Sequence, residues 1–279
     1  MKINNFFDLK FLAKKMLYYK WLLHLNVGRN VSYGNEQATA ILLSYKRMQN
    51  IEPIARSILK CDFIEKLIIS NHNPEIKIEE WIKLKDERLV LMNQPVRRRC
   101  GYRWNLARAE NARYFIAIDD DTFLYPKQIK KLFERLIQQP EIPHGFYGAM
   151  YEFIEDLKSE HFRINFVKER EMEVDVLYSG FFVTEAHVQT YFKQLNKMKM
   201  NGNTVSDYID SIDDELVITV GDDIVISNTA ANKAKIHNVG FVLTCPTAHS
   251  EGMAIHTGQA FTLKRRRIFN ELKQLSSNE

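Results

Sequence analysis

The sequence contains little cysteine. Its three cysteines, Cys61, Cys100 and Cys245, lie far apart in a chain of 279 residues and form no C-x-x-C pair. An odd number of distant cysteines argues against a disulfide framework and against a zinc knuckle. We therefore expect a protein of a reducing compartment, for which the cytoplasm is the simplest choice.

Long apolar runs are missing as well. No segment reaches the ~18 apolar residues that a membrane-spanning helix needs, and the first residues do not follow the pattern of a secretory signal. Hydrophobic residues make up 45% of the chain and charged residues 27%, which excludes a disordered or fibrous protein. The length suits one large α/β domain or two small ones.

Net charge is small and uneven. The chain carries 39 Lys+Arg and 35 Asp+Glu, a formal charge of +4. Residues 1–30 contain six basic residues and one acid, a charge of +5, so the rest of the chain carries a charge of −1. A neutral main body argues against a nucleic-acid partner.

Two basic segments flank this body. Residues 5–25 lack Gly and Pro and predict a helix within a basic N-terminal segment, 1–30, while residues 261–279 predict a basic C-terminal helix. The N-terminal helix either packs on the domain or lies on a membrane surface, with Tyr18, Tyr19 and Trp21 at the interface. In the second case the basic termini would hold the protein peripherally at the inner membrane face.

Strand and helix patterns alternate in the first half. Strands are predicted over 38–44, 64–70, 88–92 and 114–118, and helices over 50–60, 104–111 and 126–138. This order is typical of βαβ units and a parallel sheet, in which ligands bind at the carboxyl ends of the strands. Beyond a boundary near residue 122, the patterns predict short strands over 145–151, 162–167, 174–178 and 239–244 and helices over 184–198 and 222–233.

The most informative motif is an acidic triplet, Asp119, Asp120 and Asp121, which directly follows the apolar residues 114–118 and precedes Thr122. Adjacent carboxylates repel each other and are costly to desolvate, so they call for a counter-ion. A divalent cation such as Mg²⁺ or Mn²⁺ suits such oxygen ligands. The alternative is a solvated acidic turn that caps the next helix.

A second acidic motif, the acidic pair Asp222 and Asp223, follows Gly221 about a hundred residues later. Acids at the start of a helix are stabilised by the helix dipole, which explains one of them. The other could accept a hydrogen bond from a hydroxyl group and act as a base or positioning group.

Basic residues also lie close to the ends of predicted strands. Arg47 comes just after the first predicted strand, in Ser44-Tyr45-Lys46-Arg47, and an arginine run, Arg97, Arg98 and Arg99, precedes the fourth. A nucleoside diphosphate needs such cations. The arginine run could equally be a solvated surface feature.

Together these residues resemble GT-A-fold glycosyltransferases, and more narrowly the exostosin-type family (family 64), whose members transfer N-acetylhexosamine-type sugars from UDP-sugars. The matching stretches span about residues 38–232 in the expected order. They are residues 41–47, 64–73, Asn93 with the arginine run, 118–122, 178–182 and 221–224.

The resemblance implies a fold, a domain division and a reaction. The fold would be a GT-A domain over 31–260, α/β and Rossmann-like, with a mostly parallel central sheet flanked by helices. Its nucleotide half would cover about 38–122, and its acceptor half, built of short strands and helices, about 123–260. The reaction would be metal-dependent transfer from a UDP-sugar to a glycan or lipid-linked glycan, with retention of anomeric configuration.

The resemblance also implies roles for individual residues. Mn²⁺ or Mg²⁺ would be held by Asp121 with Asp119, and Gly180 would lie where the backbone approaches the acceptor. Asp223, with Asp222, would be catalytic, next to the anomeric carbon and the acceptor hydroxyl. Donor contacts would come from Arg47, Asn71, Asn73, Asn93, Arg98, Asp119, Asp120 and Asp121.

Two late histidines and several aromatic residues allow two interpretations each. His249 could complete the metal site, as a late histidine does in many GT-A enzymes, and the stretch containing His249 and His256 predicts a lid over the substrates; both could also be ordinary surface histidines. Tyr147 and Tyr151 could stack on a sugar or pack in the core. Trp81 and Trp104 are expected to pack on the sheet.

The sequence departs from the resemblance and leaves alternatives open. A cysteine usually stands where this chain has Gly221, and animal members carry a signal anchor and disulfides that we do not expect here. The alternatives are an inverting enzyme on the same fold, a nucleotidyltransferase and a non-catalytic nucleotide-sugar binding protein. A nucleotidyltransferase usually has a Gly-rich loop after its first strand, whereas residues 44–47 contain no glycine.

Overall fold

The computed structural model describes residues 5–153, 162–202, 205–213, 215–245 and 259–277. The helices are α1 (Asn5–Val27), α2 (Met48–Leu59), α3 (Tyr102–Arg108), α4 (Pro126–Gln138), α5 (Glu185–Met200), α6 (Asp222–Ser227) and α7 (Gln259–Ser277). The strands are β1 (Ala38–Ser44), β2 (Ile64–Asn71), β3 (Leu89–Asn93), β4 (Tyr114–Ile118), β5 (Thr122–Phe123), β6 (His144–Gly145), β7 (Tyr147–Phe153), β8 (Phe162–Lys168), β9 (Met172–Val174), β10 (Val176–Leu177), β11 (Gly180–Thr184), β12 (Ile209–Ile212), β13 (Glu215–Ile218), β14 (Ala234–Ile236) and β15 (Leu243–Thr244).

The central sheet has the order β3-β2-β1-β4-β11-β6-β14-β9 in the described part of the chain. The four strands from the first half, β3, β2, β1 and β4, are parallel, with Ser44 opposite Asn71 and Leu42 opposite Ile118. Because their carboxyl ends meet at one edge, the residues that follow β1, β2 and β4 come together there. The predicted parallel sheet is confirmed.

Helices cover both faces of this sheet, as expected for a buried parallel sheet. One apolar cluster joins the sheet to α1, α2 and α4, with Phe133 stacked on Phe63 at 4.5 Å between ring centroids. The other joins it to α3, α5, α6 and α7 around the buried Trp104. Trp104 therefore packs as predicted, but the same expectation for Trp81 is wrong because its side chain is 46% exposed.

The element predictions differ in accuracy along the chain. β1, β4 and α4 have the predicted bounds, and the neighbouring elements differ by one to three residues. The helix predicted over 222–233 is wrong in length: α6 ends at Ser227, where the Ser227 hydroxyl bonds back to the Asp223 carbonyl and accepts the Leu177 amide. The strands β5, β11, β12, β13 and β14 were not predicted, since each is short and lacks a clear alternation.

The N-terminal helix packs on the domain. Trp21 and Leu25 are buried, and the rings of Tyr18 and Trp21 lie 5.0 and 5.1 Å from that of Phe123. The packing interpretation is thus confirmed, and a membrane-interface role for Trp21 and Tyr18 is wrong because both rings face the core. In the described residues no helix combines the length and apolarity needed to cross a membrane.

The C-terminal helix is also part of the domain. Ile268, Phe269 and Leu272 of α7 are buried in the cluster that contains α6. Ile268 reaches the turn at Gly221, where an added Cβ would stand 2.9 Å from its Cδ1 atom. Within the basic run of this helix, Arg265 is buried against the acidic pair, whereas Lys264 and Arg267 are exposed.

Candidate active site

A cavity of about 520 Å³ opens at the carboxyl edge of the parallel strands. The acidic triplet and the acidic pair lie in its wall, the arginine run borders it on the β1 and β2 side, and β7, β8 and α7 close the other side. Sequence motifs that are about a hundred residues apart thus meet in one site. Such a concave site with convergent charged groups is the normal setting for ligand binding.

The acidic triplet is held at the end of β4 by its backbone. The amide of Asp119 donates to the Ser179 carbonyl at 3.0 Å, and the amide of Thr122 donates to the Asp119 carbonyl at 3.2 Å. Ser179 itself has a φ of +62°, a left-handed conformation that is uncommon for a residue with a side chain. Backbone strain of this kind concentrates at functional sites.

Arginines supply much of the counter-charge that the triplet needs. Arg47 donates to Asp120 at 2.7 Å and lies 3.4 Å from Asp121, while Arg103 donates to Asp119 at 2.9 Å. A divalent cation is therefore not needed to balance all of the triplet's charge, because two buried guanidinium groups already balance part of it. Arg103 was not predicted, since a single arginine at the start of a short helix gives no functional signal.

The triplet nevertheless retains uncompensated negative charge. Burial, followed by repulsion from Asp119, raises the pKa of Asp121 to about 7 against the pull of Arg47. Burial likewise raises the pKa of Asp120. A cation bound at Asp121 would lower the free energy of its ionised form, so the chemistry of this donor set fits a divalent metal.

Within the described residues, no three His, Cys, Asp or Glu side chains are placed to hold a metal among themselves. A metal with only one or two carboxylate ligands needs further oxygens, and substrate phosphates commonly provide them. His249, predicted as a further ligand, and His256 lie outside the described residues.

The acidic pair begins α6, after a glycine that the packing requires. Gly221 has a φ of +78°, and Ile268 occupies the space that a side chain would need. Asp222 is buried, lies 3.4 Å from Nε of Arg103, and has a pKa that burial raises to about 6. Arg103 therefore links the triplet, through Asp119, to the pair, through Asp222.

Asp223 is bound on both oxygens by an arginine from the far end of the chain. Arg265 in α7 donates to Oδ1 at 2.8 Å and to Oδ2 at 2.7 Å. The Nη2 atom of Arg265 also lies 2.9 Å from the Tyr151 hydroxyl and 3.0 Å from the Tyr178 hydroxyl. Burial lowers the pKa of Arg265, but Asp223 and the tyrosines raise it well above the usual value, so the guanidinium stays charged.

Sequence reasoning missed Arg265. It lies in a run of basic residues, Lys264-Arg265-Arg266-Arg267, that is typical of a solvated helix face. Helical spacing was the available signal, because Arg265 lies three and four residues before the apolar Ile268 and Phe269 and so shares their face. The hydroxyl groups of Tyr151 and Tyr178 contact Arg265. Because Tyr151 is also buried, it packs in the core and does not stack on a sugar.

The arginine run is only partly a surface feature. Arg97 and Arg99 are exposed, with Arg97 lying over the Tyr45 ring at 4.2 Å, but Arg98 is buried and reaches Asp213 at 2.5 Å. Among the described residues, neither Nε nor Nη1 of Arg98 has a hydrogen-bond partner. A buried guanidinium with unmet donors favours an anionic ligand.

His72 supports the loop that carries Arg98. Its Nδ1 atom lies 3.0 Å from the Arg98 carbonyl oxygen and its Nε2 atom 3.1 Å from the Ser70 hydroxyl. Burial, together with the neighbouring arginines, lowers the pKa of His72 to about 4. The neutral imidazole therefore adds no charge to the basic side of the cavity.

Four predicted site residues lie elsewhere. Asn71, Asn73 and Asn93 do not line the described cavity; Asn71 donates to Asn93 at 3.0 Å, and Asn93 accepts the Ile78 amide at 3.0 Å, which braces the ends of β2 and β3. Gly180 is in β11, where an added Cβ would stand 2.5 Å from a Phe146 ring carbon. Their predicted substrate contacts stay predictions.

Comparison with known proteins identifies the fold. Neither a protein-family model nor a curated protein sequence matches the chain. Among solved structures it is similar to GalNAc-T7 with UDP, GalNAc and Mn²⁺, with a TM-score of 0.55 and 13% sequence identity over 85% of this chain and 50% of the other. The protein has the GT-A fold.

That result confirms the predicted fold class and leaves the finer predictions open. The chain spans about half the length of GalNAc-T7, and the identity is too low for the likeness to show more than the fold. The narrower resemblance to the exostosin-type family stays a prediction. The function of this GT-A protein has to be argued from its own cavity.

Proposed function

We propose that this protein is a metal-dependent glycosyltransferase that moves a sugar, of the N-acetylhexosamine type, from a UDP-sugar to a glycan or lipid-linked glycan. The observation that carries the proposal is the meeting of both acidic motifs and the arginine run in one cavity at the carboxyl edge of a GT-A sheet. The solved structure with the similar fold contains UDP, GalNAc and Mn²⁺, which supports this donor class.

The donor diphosphate would bind on the basic side of the cavity. Arg98 offers buried donors without partners among the described residues, and Arg97 and Arg99 border the same space. Guanidinium groups recognise phosphate oxygens through paired, charge-assisted hydrogen bonds. This supports the predicted diphosphate contact of Arg98, whereas Arg47 would act through the triplet, which it holds in place.

Asp121, with Asp119, would hold the metal together with the diphosphate. When bound, Mn²⁺ or Mg²⁺ would supply Lewis-acid neutralisation of the charge that develops on the leaving UDP. Arg47 and Arg103 fix the orientation of the carboxylates before the donor arrives. Preorganised charges of this kind avoid a reorganisation cost during the reaction.

Asp223 would orient the acceptor and stabilise the positive charge that develops on the transferred sugar. Its two oxygens both accept hydrogen bonds from Arg265, which fixes the orientation of the carboxylate in the cavity. In the retaining reaction that we favour, the acceptor oxygen bonds to the anomeric carbon on the face from which UDP departs. The UDP oxygen takes the bonding electron pair and then the acceptor proton, so no protein base is needed.

A second candidate, an inverting enzyme, is favoured by one observation. Asp222 is buried beside Asp223, and its pKa is raised to about 6, which is nearer to the operating pH than that of an ordinary carboxyl group. Such a group could accept the acceptor proton directly. The anomeric configuration of the product, determined by NMR, distinguishes the two reactions.

The first experiment measures UDP release from a panel of UDP-sugars without added acceptor, in Mn²⁺ and in EDTA. We expect slow hydrolysis of one donor that requires the metal. If no donor is cleaved, UDP–Mn²⁺ binding is measured by calorimetry. Binding would indicate an enzyme that awaits its acceptor, and no binding would refute the nucleotide-sugar proposal.

We also propose that the protein is cytoplasmic and lies against an anionic membrane through α1, as an enzyme for lipid-linked acceptors would. The side of α1 that faces away from the core carries Leu12, Met16, Tyr19 and Leu23, which are 54, 73, 61 and 66% exposed. Lys15 and Lys20 are exposed on the same helix, and residues 12–27 contain no acid. An apolar stripe with lysines suits an anionic lipid surface.

Vesicle sedimentation tests this contact. We expect the protein to pellet with phosphatidylcholine vesicles that contain phosphatidylglycerol, and to pellet far less after combined Met16→Gln and Leu23→Gln substitution. Met200→Gln is the matched control, because Met200 is 85% exposed at the end of α5. The membrane proposal would be refuted if the wild type, the double variant and Met200→Gln all pelleted equally, or if none of them pelleted.

A further inference from the structure

Three aromatic rings form an open corner of the cavity. The ring centroids of Tyr147 and Phe166 are 5.8 Å apart, those of Tyr147 and Tyr178 5.5 Å, and those of Phe166 and Tyr178 5.5 Å. All three residues line the cavity. The first two come from the paired strands β7 and β8, and Tyr178 from the residue after β10. This group is called the aromatic corner below.

One face of the β7–β8 pair is covered at one end and open at the other. At the covered end Tyr151, opposite Ile164, is buried, with its ring 5.0 Å from that of Phe269 in α7. At the open end Phe166 lies opposite Ala149. Because the Ala149 methyl group is too small to cover the Phe166 ring, Phe166 is 59% exposed. A large apolar side chain exposed inside a cavity, beside other aromatic rings, indicates a ligand contact.

The surroundings of the aromatic corner define the chemistry of that ligand. Tyr178 contacts Arg265 through its hydroxyl, and Arg265 in turn holds Asp223. A ligand on the aromatic corner must therefore offer an apolar face to the rings and hydroxyl groups to charged side chains a few ångströms away. A pyranose has both, with C–H groups on its face and hydroxyls on its rim. An acyl chain has no group for the charged rim.

The position of the aromatic corner assigns it to the acceptor rather than to the donor. The arginine run, where the diphosphate would bind, borders the cavity from the loop after β3, whereas the aromatic corner stands on β7, β8 and β10. Asp223 lies on the aromatic side, connected through Arg265 and Tyr178. The two ligands would thus meet at Asp223.

The geometry points to Phe166, supported by Tyr147, as a stacking platform for a pyranose ring of the acceptor, an inference that rests on the proposed transferase function. Flat aromatic side chains provide contact area at low entropic cost and select the faces of a ring. Phe166 would set which acceptor is used, whereas Asp223 acts on whichever acceptor is bound. Truncation of Phe166 should therefore weaken acceptor binding and leave donor binding unchanged.

Saturation-transfer NMR tests the platform without knowledge of the true acceptor. The probes are a panel of methyl pyranosides and hexan-1-ol, each added to the full chain with UDP and Mn²⁺. We expect saturation of the ring protons of at least one pyranoside, reduced on the order of fivefold by Phe166→Ala and kept by Phe166→Tyr. Phe241→Ala is the matched control, because Phe241 is 55% exposed and does not line the cavity.

The outcomes separate this inference from the proposed function. Pyranoside signals that do not change in Phe166→Ala, saturation of hexan-1-ol alone, or no saturation at all would overturn the platform. UDP–Mn²⁺ affinity is measured on the same samples by calorimetry. Wild-type UDP–Mn²⁺ binding with a failed pyranoside test would refute the platform alone. Phe166-dependent pyranoside signals without any UDP–Mn²⁺ binding would uphold a sugar surface and refute the transferase.

Discussion

The two halves of the site, the proposed nucleotide half and the proposed acceptor half, differ in how their carboxylates are held. In the nucleotide half, the acidic triplet directly follows a buried parallel strand, and its arginines, Arg47 and Arg103, come from the same half of the chain. In the acceptor half, Asp223 follows a short turn and depends on Arg265, a residue of the terminal helix. The first arrangement is built by elements of the parallel-sheet half of the chain alone, and the second requires packing against α7 from the far end of the chain.

This difference predicts that changes in the nucleotide half impair donor binding, whereas changes in the acceptor half spare it. It also predicts that the acceptor half is the less tolerant of losing its arginine, because Arg265 has no second cation nearby to replace it among the described contacts of Asp223.

Asp121→Asn should lower transfer by about a thousandfold or more, because the amide removes the charge that would bind the metal. UDP should also bind more weakly in the presence of Mn²⁺. Transfer is measured by UDP release and binding by calorimetry. Asp62→Asn, at an exposed carboxylate outside this cavity, is the control. Wild-type UDP–Mn²⁺ affinity in Asp121→Asn would contradict the metal assignment.

Asp223→Asn should reduce transfer on the order of a hundredfold or more, since a charge that stabilises the transition state is lost. UDP–Mn²⁺ affinity should stay near the wild-type value, in contrast to Asp121→Asn. The same two assays measure both quantities. If the variant keeps most of its transfer rate, the assignment of Asp223 is wrong.

Arg265→Gln should destabilise the fold by about 3–5 kcal/mol, because a buried carboxylate loses its partner. Arg265→Lys keeps the charge but not the paired geometry, and should fold better while transferring sugar more slowly. Urea unfolding measures the first effect and UDP release the second. Equal stability of wild type and Arg265→Gln would show that α7 does not hold the acceptor half together.

Asp222→Asn should stabilise the fold. Because the folded-state pKa of Asp222 is raised to about 6, ionisation of this group costs stability as the pH rises from the ordinary carboxyl pKa toward 6, and the cost persists above it. The amide removes the cost, so a gain in Tm of about 2–4 °C is expected at pH 8. Little or no gain is expected at pH 4. Scanning calorimetry at both pH values measures the gain in Tm. An equal gain at pH 4 and pH 8 would show that the ionisation of Asp222 is not what costs stability.

The predictions made from sequence succeeded where the pattern was local and strong. β1, β4 and α4 have the predicted bounds, because continuous apolar runs and a proline in the first turn of a helix are signals carried by neighbouring residues. The acidic triplet was correctly placed at the sheet edge for the same reason. β11 was missed although it is fully buried, since it has only five residues and the last of them, Thr184, is already the capping residue of α5.

Residues that act through long-range packing could not be predicted. Arg98 looked like one of three equivalent surface arginines, and only the fold buries it while its neighbours stay exposed. The hydrogen bond between Asn71 and Asn93 was not predicted either, because it depends on the register of β2 and β3, which places them opposite each other. Phe166 carried no signal at all in the sequence.

The sequence by itself determined the alternation of strands and helices, the parallel order of the first four strands and the position of the acidic motifs at strand or helix ends. Those features follow from periodicity and chain direction, which are properties of neighbouring residues. Only the tertiary structure decided which arginine faces which carboxylate, that the terminal helix belongs to the site, and that one side of the cavity is aromatic. Such pairings join residues from 16 positions apart (Arg103 and Asp119) to 119 positions apart (Arg103 and Asp222), and they depend on packing that no local pattern encodes.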